Sequence, residues 1–216
     1  MNKTQQIYTQ LHKSFGKQGW WPLTIEGNKS KHHVGKPETD KHRFEIMVGA
    51  ILTQNTNWKN VEKALYNLSK NNLININKIK RIKKEKLAQL IKPAGYYNQK
   101  AERLKIIAEF LSKNSNPTRE QLLSVKGIGP ETADSILLYA YNKPFFVIDA
   151  YTKRIFGKLG YKAEDYEQWQ KLFMGNLRKD VDLFKEYHAL LVELGKNYCK
   201  KKAICKKCPV KGICKK

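Results

Sequence analysis

The segment TREQLLSVKGIGPETADSILLYAYNKPFFVIDAYTKR, residues 118–154, decides the fold of this chain. Thr118, three residues before a glutamine, is typical of a capping box that begins a short helix. Gly127 and Gly129 predict a tight hairpin, because glycine adopts a positive φ at little cost. Pro130 suits the first turn of a second helix. The segment therefore predicts a helix, a glycine-rich hairpin and a helix, with backbone N–H groups that can hold a phosphate.

The chain is strongly basic. Its 216 residues include 42 lysines and arginines against 19 acidic residues, a formal net charge of +23. This balance favours a polyanionic partner, most simply nucleic acid, although a genome-wide bias towards lysine codons would also raise the charge. No apolar run approaches the ~18 residues of a membrane-spanning helix, and the first residues lack the apolar stretch of a signal peptide. We therefore expect a cytoplasmic protein with no membrane partner.

Apolar residues recur at helical spacing along most of the chain, and almost no segment alternates with a period of two. The helical pattern is seen at residues 3–14, 43–53, 101–111, 166–177 and 183–198. Asn57 and Asn98 are placed to cap the helices that follow them. The pattern predicts an all-α fold, and 216 residues suffice for one or two domains with a buried core.

All four cysteines fall near the end of the chain, with the spacing C-x5-C-x2-C-x5-C. They are Cys199, Cys205, Cys208 and Cys214. Disulfides are rare in the cytosol, and four clustered thiolates in a short loop favour a metal centre. Zinc sites usually contain two C-x2-C pairs, whereas this loop contains one.

The sequence V-K-G-I-G-P-E-T-A, followed by V-I-D ending at Asp149, resembles the helix-hairpin-helix and downstream aspartate of the endonuclease III superfamily of DNA glycosylases. The resemblance covers nearly the whole chain and implies two helical lobes with a DNA cleft between them. Residues 33–143 would form a six-helix lobe with the hairpin, and residues 1–32 with 144–216 the second lobe. Asp149 would lie at the cleft. The implied partner is double-stranded DNA with a damaged base, bound by a monomer.

Asp149 is the candidate catalytic residue. The superfamily's aspartate assists cleavage of the N-glycosidic bond, and a carboxylate can stabilise positive charge on the sugar or activate water. The alternative role is structural, as the N-cap of a helix that begins at Ala150. Relatives that also cleave the strand carry a lysine nucleophile four residues after the first hairpin glycine, where this chain has Glu131. Since a carboxylate cannot form a Schiff base, we expect base removal without a lyase step.

Five residues are candidates for DNA binding. The resemblance implies that the hairpin grips backbone phosphate. It also implies that Gln54 contacts the flipped nucleotide or fills its space, although a glutamine there could simply cap a helix end. The candidate residues are Gln54, Lys126, Gly127, Gly129 and Thr132.

Trp20-Trp21-Pro22, L-T-Q-N-T-N-W ending at Trp58, and G-Y-Y-N-Q-K-A at residues 95–101 resemble the 3-methyladenine DNA glycosylase III branch. That branch sandwiches the alkylated base between two aromatic rings, which implies Trp20 or Trp21 together with Trp58. N-alkylated purines are cationic, and stacking a cation on indole is favourable by ~0.5–2 kcal/mol. The alternative is that these tryptophans belong to the core.

The cysteine loop, residues 199–214, is similar to the C-terminal [4Fe-4S] loop of endonuclease III relatives. Those relatives usually have six residues in the first gap, and this chain has five. The resemblance implies a structural [4Fe-4S] cluster held by all four cysteines, and zinc is the alternative.

The leading hypothesis is a monofunctional DNA glycosylase of base excision repair that removes alkylated purines such as 3-methyladenine or 7-methylguanine. One alternative is a thymine, uracil or adenine mismatch glycosylase of the same fold. A second is a DNA-binding module without catalysis, which would use the hairpin for phosphate contact alone. A zinc-stabilised RNA-binding protein is a third, but the sequence contains no RNA-binding motif.

Overall fold

The computed structural model describes residues 2–24, 31–32 and 36–214. The α-helices of these residues are α1 Lys3–Phe15, α2 Asp40–Leu52, α3 Trp58–Lys70, α4 Ile76–Arg81, α5 Lys84–Leu90, α6 Tyr97–Leu111, α7 Arg119–Leu123, α8 Pro130–Ser135, α9 Ala150–Lys158, α10 Tyr166–Asn176 and α11 Val181–Asn197. A 3₁₀ turn at Lys92–Ala94 precedes α6, and a π-helical turn at Ile136–Ala140 continues α8. Two short strands, β1 Pro22–Leu23 and β2 Lys31–His32, pair antiparallel. The predicted all-α fold is confirmed, apart from this one two-residue pairing.

The chain forms two compact units, each with its own core. One contains Met1–Trp20 and Lys143–Lys216, and the other contains Trp21–Asn142. The hairpin lies in the second of these, and Asp149 and the cysteine loop lie in the first.

The unit of residues 21–142 is built on α2, which is buried at nine consecutive residues from Phe44 to Leu52. A helix buried on nearly every side needs neighbours on each face, and α2 packs against α3, α6, α8 and the π-helical turn. At its C-terminal end, the buried ammonium of Lys100 donates hydrogen bonds of 2.8 Å to the carbonyls of Leu52 and Ala94. Burial lowers the pKa of Lys100 to about 8.

The other unit packs α1 and α9 against α11, and α10 against α1. Its core is an aromatic cluster in which the rings of Phe146 and Phe173 stack at 4.2 Å. The remaining members of the cluster are Phe156, Phe184 and Tyr187. The hydroxyl of Tyr187 donates to the carbonyl of Thr4 at 2.8 Å, which fixes α1 on α11.

Helix capping follows the sequence at one predicted position and departs from it at another. Asn57 caps α3 as predicted, accepting the N–H of Asn60. The prediction for Asn98 is wrong, because α6 already begins at Tyr97 and Asn98 lies inside its first turn. The chain enters α6 through Gly95 and then Tyr96, whose φ values are 67° and 46°. This sharp left-handed turn sets the start of the helix without a side-chain cap.

None of the helices among the described residues has both the length and the apolar character required to cross a bilayer.

Candidate functional site

Asp149 lies at the end of an extended, buried apolar segment that α10 holds in place. The Nε2 of Gln170 donates to the carbonyl of Phe146 at 2.8 Å. Two residues on, the N–H of Ile148 donates to the Oη of Tyr166 at 3.2 Å. Because two points of the segment are tied to one helix, the backbone delivers Asp149 to the start of α9 in a fixed position.

Each oxygen of the Asp149 carboxylate has its own neighbour. The Oδ1 accepts the N–H of Thr152 at 2.7 Å, so Asp149 is the N-cap of α9, as the structural alternative predicted. The Oδ2 lies 3.7 Å from the Nε2 of His188 on α11. Burial raises the pKa of Asp149, but the His188 imidazole and the Thr152 N–H together outweigh burial, and the pKa lies below its ordinary value. The carboxylate is therefore charged at neutral pH although it is only 9% exposed.

His188 is the site residue that sequence reasoning missed. It lies in the middle of α11 and is buried, with buried Tyr187 and Ala189 as its chain neighbours. Buried polar side chains in native proteins almost always have a partner, so a histidine within an apolar helix was itself a signal. The identity of that partner could not be read from the sequence, because Asp149 is distant in the chain and on another helix.

The predicted helix-hairpin-helix is present. A complete capping box at Thr118 begins α7, and α8 begins at Pro130. Gly127 has a φ of 87°, which confirms the expected positive φ. The same expectation is wrong for Gly129, which has a φ of −91° and a ψ of 176° and serves as the extended N-cap of α8. Of the two hairpin glycines, Gly127 is therefore the one that needs the conformational freedom of glycine.

A buried ion pair joins the two helices of this motif. On α7, Arg119 donates from Nε and Nη2 to the two carboxylate oxygens of Asp134 on α8, at 2.7 and 3.1 Å. Asp134 is fully buried, and the geometry is the two-pronged one that suits guanidinium and carboxylate. The pair fixes the angle at which the hairpin is presented.

Gln54 braces the hairpin from the turn that follows α2. Its Nε2 donates to the carbonyl of Gly127 at 3.2 Å and to the Oγ1 of Thr132 at 3.0 Å. Its Oε1 accepts a hydrogen bond from Nη1 of Arg103 on α6. The structure thus brings three of the five predicted DNA-binding residues together, and their contact with DNA stays a prediction. Lys126 is exposed beside them.

Trp21 and Trp58 also lie together. Their ring centroids are 5.4 Å apart, and the rings meet edge to face at 86°. Trp21 is 6% exposed and packs on Gly49, where a Cβ would lie 3.0 Å from the ring. The third contact of the Trp21 ring is Tyr139, at 5.3 Å. In this arrangement the two indoles are not parallel, so they do not yet form two walls of a sandwich.

Trp20 belongs to the unit of α11 and is half-buried. The Nζ of Lys196 lies 5.8 Å from its ring centroid. The preceding backbone is held by Glu186, whose carboxylate accepts the N–H of Gln18 at 2.6 Å and that of Gly19 at 3.4 Å. The base-pocket roles of all three tryptophans remain predictions.

The four cysteines line one cavity of about 210 Å³ at the end of α11. Apolar side chains such as Ile155, Leu194 and Val210 form part of its wall, and none of the described residues that line it carries a carboxylate or an imidazole. The loop is held by α9, since Arg154 donates to the carbonyl of Cys199 at 2.7 Å.

Four cysteine thiols are the donor set of a [4Fe-4S] cluster, and four-cysteine zinc sites use the same donors. Among the described residues, no group of three or more histidine, cysteine or acidic side chains is already arranged to hold a metal ion. Zinc requires four ligands around one ion, with each sulfur at about 2.3 Å. A [4Fe-4S] cluster binds one cysteine thiolate at each of its four irons, so the four cysteine sulfurs surround the volume of the cluster. Four thiols around one cavity fit that requirement.

A helix-hairpin-helix followed by a buried, charged aspartate defines a class of DNA repair proteins. The chain belongs to that class: residues 48–179 match the HhH-GPD superfamily of base excision DNA repair proteins. A Methanocaldococcus jannaschii protein, provisionally named a DNA repair glycosylase, is 45% identical, over 96% of this chain and 94% of its own. Endonuclease III of Thermotoga maritima is 30% identical, over 82% of this chain and 84% of its own.

Solved structures show the same fold. The H. pylori 3-methyladenine DNA glycosylase bound to 1,N6-ethenoadenine aligns with a TM-score of 0.71 and 30% identity, over 91% of this chain and 98% of its own. A trapped covalent intermediate of endonuclease III with DNA aligns with a TM-score of 0.79, over 100% of this chain and 97% of its own. At 21% identity, the second comparison supports the fold alone.

Proposed function

We propose that this protein is a monofunctional DNA glycosylase that removes alkylated purines, such as 3-methyladenine, from double-stranded DNA. The observation that carries the proposal is the Asp149 carboxylate, which is buried, charged, hydrogen-bonded by the N–H of Thr152 and 3.7 Å from the Nε2 of His188. Membership of a base excision repair family makes DNA the expected partner, and the net charge of +23 suits a polyanion.

Asp149 supplies what the chemistry of base loss needs. When an N-glycosidic bond breaks, positive charge develops on the sugar, as in other glycoside cleavages. A fixed carboxylate in a poorly solvated site stabilises that charge more than water does, because it needs no reorganisation during the reaction. The Asp149 carboxylate can also orient the water that attacks the sugar.

Glu131 supports removal of the base without strand cleavage. It lies in the first turn of α8 and is exposed, at the position where lyase-type relatives carry lysine. A carboxylate cannot form a Schiff base with the sugar. The nearest hairpin lysine in sequence, Lys126, is held at 2.9 Å by the carboxylate of Glu102.

The substrate class rests on the aromatic pair. Trp58 is half-buried and touches Trp21, so a small movement of one indole would open a slot lined by two rings. A cationic purine gains more from such a slot than a neutral base does. The likeness to a 3-methyladenine DNA glycosylase at 30% identity supports this class over mismatched thymine, uracil or adenine.

We further propose that Cys199, Cys205, Cys208 and Cys214 hold a [4Fe-4S] cluster with a structural role. The cluster would supply a rigid crosslink between the end of α11 and the final loop, because residues 200–207 are exposed and bury little apolar surface of their own. Arg154 and Lys158 on α9 hold the adjoining backbone through the carbonyls of Cys199 and Lys200, both at 2.7 Å.

The experiment that tests the function is a base-release profile. Purified protein is incubated with duplex DNA treated with a methylating agent, and with undamaged, uracil-containing and mismatched duplexes. We expect release of methylated purines alone. Release of thymine, uracil or adenine from the mismatched duplexes would assign the mismatch alternative, and binding without any release would assign the non-catalytic one.

A further inference from the structure

A cavity of about 350 Å³ lies against the hairpin on the side of α6. Its lining includes two cations, Arg103 and Lys126, on either side of Gly127. One acid, Glu102, lies beside them. The two hairpin helices alone would not create this cavity, since Glu102 and Arg103 both come from α6.

Arg103 is built into the hairpin. A Cβ at Gly127 would lie 2.7 Å from the side chain of Arg103, so the bare glycine backbone is what lets Arg103 approach. One N–H of the guanidinium is used by Gln54. Within the described residues no other hydrogen-bond acceptor is found for Arg103, and a guanidinium has five N–H donors. Most of its donors are therefore available to a ligand.

Glu102 forms an ion pair with the second cation, Lys126. Its carboxylate accepts a hydrogen bond of 2.9 Å from Lys126, and both side chains reach solvent. The hydrogen bond and charge of Lys126 lower the pKa of Glu102, with further contributions from Lys84 and Arg103. Three cations, Lys84, Arg103 and Lys126, thus act on the Glu102 carboxylate, which lines the cavity.

We infer that this cavity binds one phosphodiester of the DNA backbone, with Arg103 and Lys126 as its ligands and Glu102 as an internal competitor. In free protein the Glu102 carboxylate stands where the phosphate oxygen binds, and DNA displaces it. The inference rests on the proposed function, which makes duplex DNA the ligand. It adds an α6 side chain to the phosphate contacts of the hairpin and assigns a role to an acid on a basic surface.

The magnitude of the competition follows from exposure. A solvent-exposed ion pair contributes little to stability and is screened by salt. Glu102 therefore weakens DNA binding by a small factor, largest at low ionic strength. Arg103 contributes more, because a guanidinium can bind a phosphate with two parallel hydrogen bonds and is held in place by Gln54.

The first test is the affinity of Glu102→Gln for an undamaged duplex, measured across a salt series. We expect binding about two- to fivefold tighter than wild type at low salt, with the difference shrinking as salt rises. The matched control is Glu109→Gln, seven residues on along α6, which also frees lysines by breaking pairs of 3.1 Å with Lys80 and Lys113. A gain as large in Glu109→Gln would mean that only net charge matters, and would overturn the inference.

A double-mutant cycle isolates the competition. In a Lys126→Ala background, Glu102→Gln should give at most a small part of its gain, because the cation for which it competes is gone. An undiminished gain in that background contradicts the inference. Neither variant removes a core contact, since both side chains are exposed.

The second test concerns Arg103. Arg103→Ala should weaken DNA binding about tenfold and lower the slope of log affinity against log salt by about 0.9, the loss of one phosphate contact. Arg103→Lys keeps the charge and should recover only part of the affinity, because lysine lacks the fork. Wild-type affinity in Arg103→Ala overturns the inference. If wild type releases methylated bases but these variants bind DNA unchanged, only the inference fails; if wild type neither binds DNA nor releases bases, the proposed function fails with it.

Discussion

Asp149 combines the geometry of a helix N-cap with a second buried neighbour, His188. Its Oδ1 is committed to the N–H of Thr152, and its Oδ2 faces His188. A carboxylate that only capped a helix would need no second partner buried beside it. The arrangement supports a charge that is maintained against burial, which is the condition for electrostatic stabilisation of a cationic sugar.

The pairing predicts how excision depends on pH. Because the pKa of Asp149 lies below its ordinary value, the wild-type rate should stay constant with falling pH until the pH reaches that lowered pKa. His188→Gln removes the imidazole beside the carboxylate and leaves the effect of burial, so the pKa of Asp149 rises and the acid limb moves to higher pH. The measurement is the single-turnover rate against pH, corrected for spontaneous base loss.

The proximity of His188 to Asp149 should also stabilise the folded protein at neutral pH and lose this effect in acid. An aspartate with a depressed folded-state pKa stabilises the protein above the unfolded pKa of about 3.9, and the contribution is lost as the pH falls through the folded value. His188→Gln should therefore reduce the acid resistance of the fold as well. An acid limb that does not move in this variant would show that His188 does not act on Asp149.

The tryptophan pair predicts a separation between binding and excision. Trp58→Ala should lower the excision of cationic alkylpurines about tenfold to a hundredfold, since base stacking on an aromatic ring is worth ~1–3 kcal/mol. Affinity for undamaged duplex should be kept, and Trp58→Phe should recover part of the rate. Trp21→Ala is the less useful variant, because Trp21 is 6% exposed and its loss would leave a cavity. A full excision rate in folded Trp58→Ala would place the pocket elsewhere.

Among the elements, the helix-hairpin-helix was the most predictable and the most informative. The capping box, the proline and the positive φ of Gly127 are local features, so the sequence was sufficient for them. Gln54, which braces the hairpin, lies in the turn after α2, and Arg103, which contacts Gln54, lies on α6. Both are distant from the hairpin in the chain, so no local sequence pattern predicts these contacts. The wrong expectation for Gly129 has the same origin, because its φ depends on the route into α8 and not on its own freedom.

The buried pair between α7 and α8 predicts a large effect on stability. Asp134→Asn removes the carboxylate charge that pairs with the guanidinium of Arg119, and breaking a buried pair costs about 3–5 kcal/mol. The free energy of unfolding should fall accordingly in denaturant titration. Asp40→Asn is the control, because Asp40 is exposed in its pair with Arg43 and should change stability by less than about 1 kcal/mol. Equal effects of the two substitutions would contradict a structural role for the buried pair.

The cysteine loop predicts that the purified protein contains iron and sulfide. Protein purified without oxygen should be yellow-brown and contain iron and acid-labile sulfide, because four thiolates around one cavity suit a cluster. Cys208→Ser should lose the colour and lower the melting temperature. Colourless protein with one zinc per chain would refute the cluster and support the alternative ion.

At the scale of the whole molecule, the sequence predicted the fold class and the family better than the arrangement of the site. Helical periodicity and the hairpin motif were enough for an all-α base excision repair protein, and the family match confirms it. The side-chain partners were not predictable, since they join elements far apart in the chain. His188 beside Asp149 and Trp21 edge-on to Trp58 are the two clearest cases.

We propose that Asp149 drives release of a free base with no covalent attachment of the protein to DNA. The most direct measurement is single-turnover release of base from a duplex that contains one alkylated purine, by wild type and by Asp149→Asn, with borohydride present. Asparagine keeps the shape and the helix cap but removes the charge. We predict free base and an intact abasic strand from wild type, no trapped adduct, and a rate about 10²- to 10³-fold lower in Asp149→Asn. A folded Asp149→Asn that excises at the wild-type rate would show that the Asp149 charge does not drive base release. Efficient trapping by borohydride would show that the protein attaches covalently to DNA.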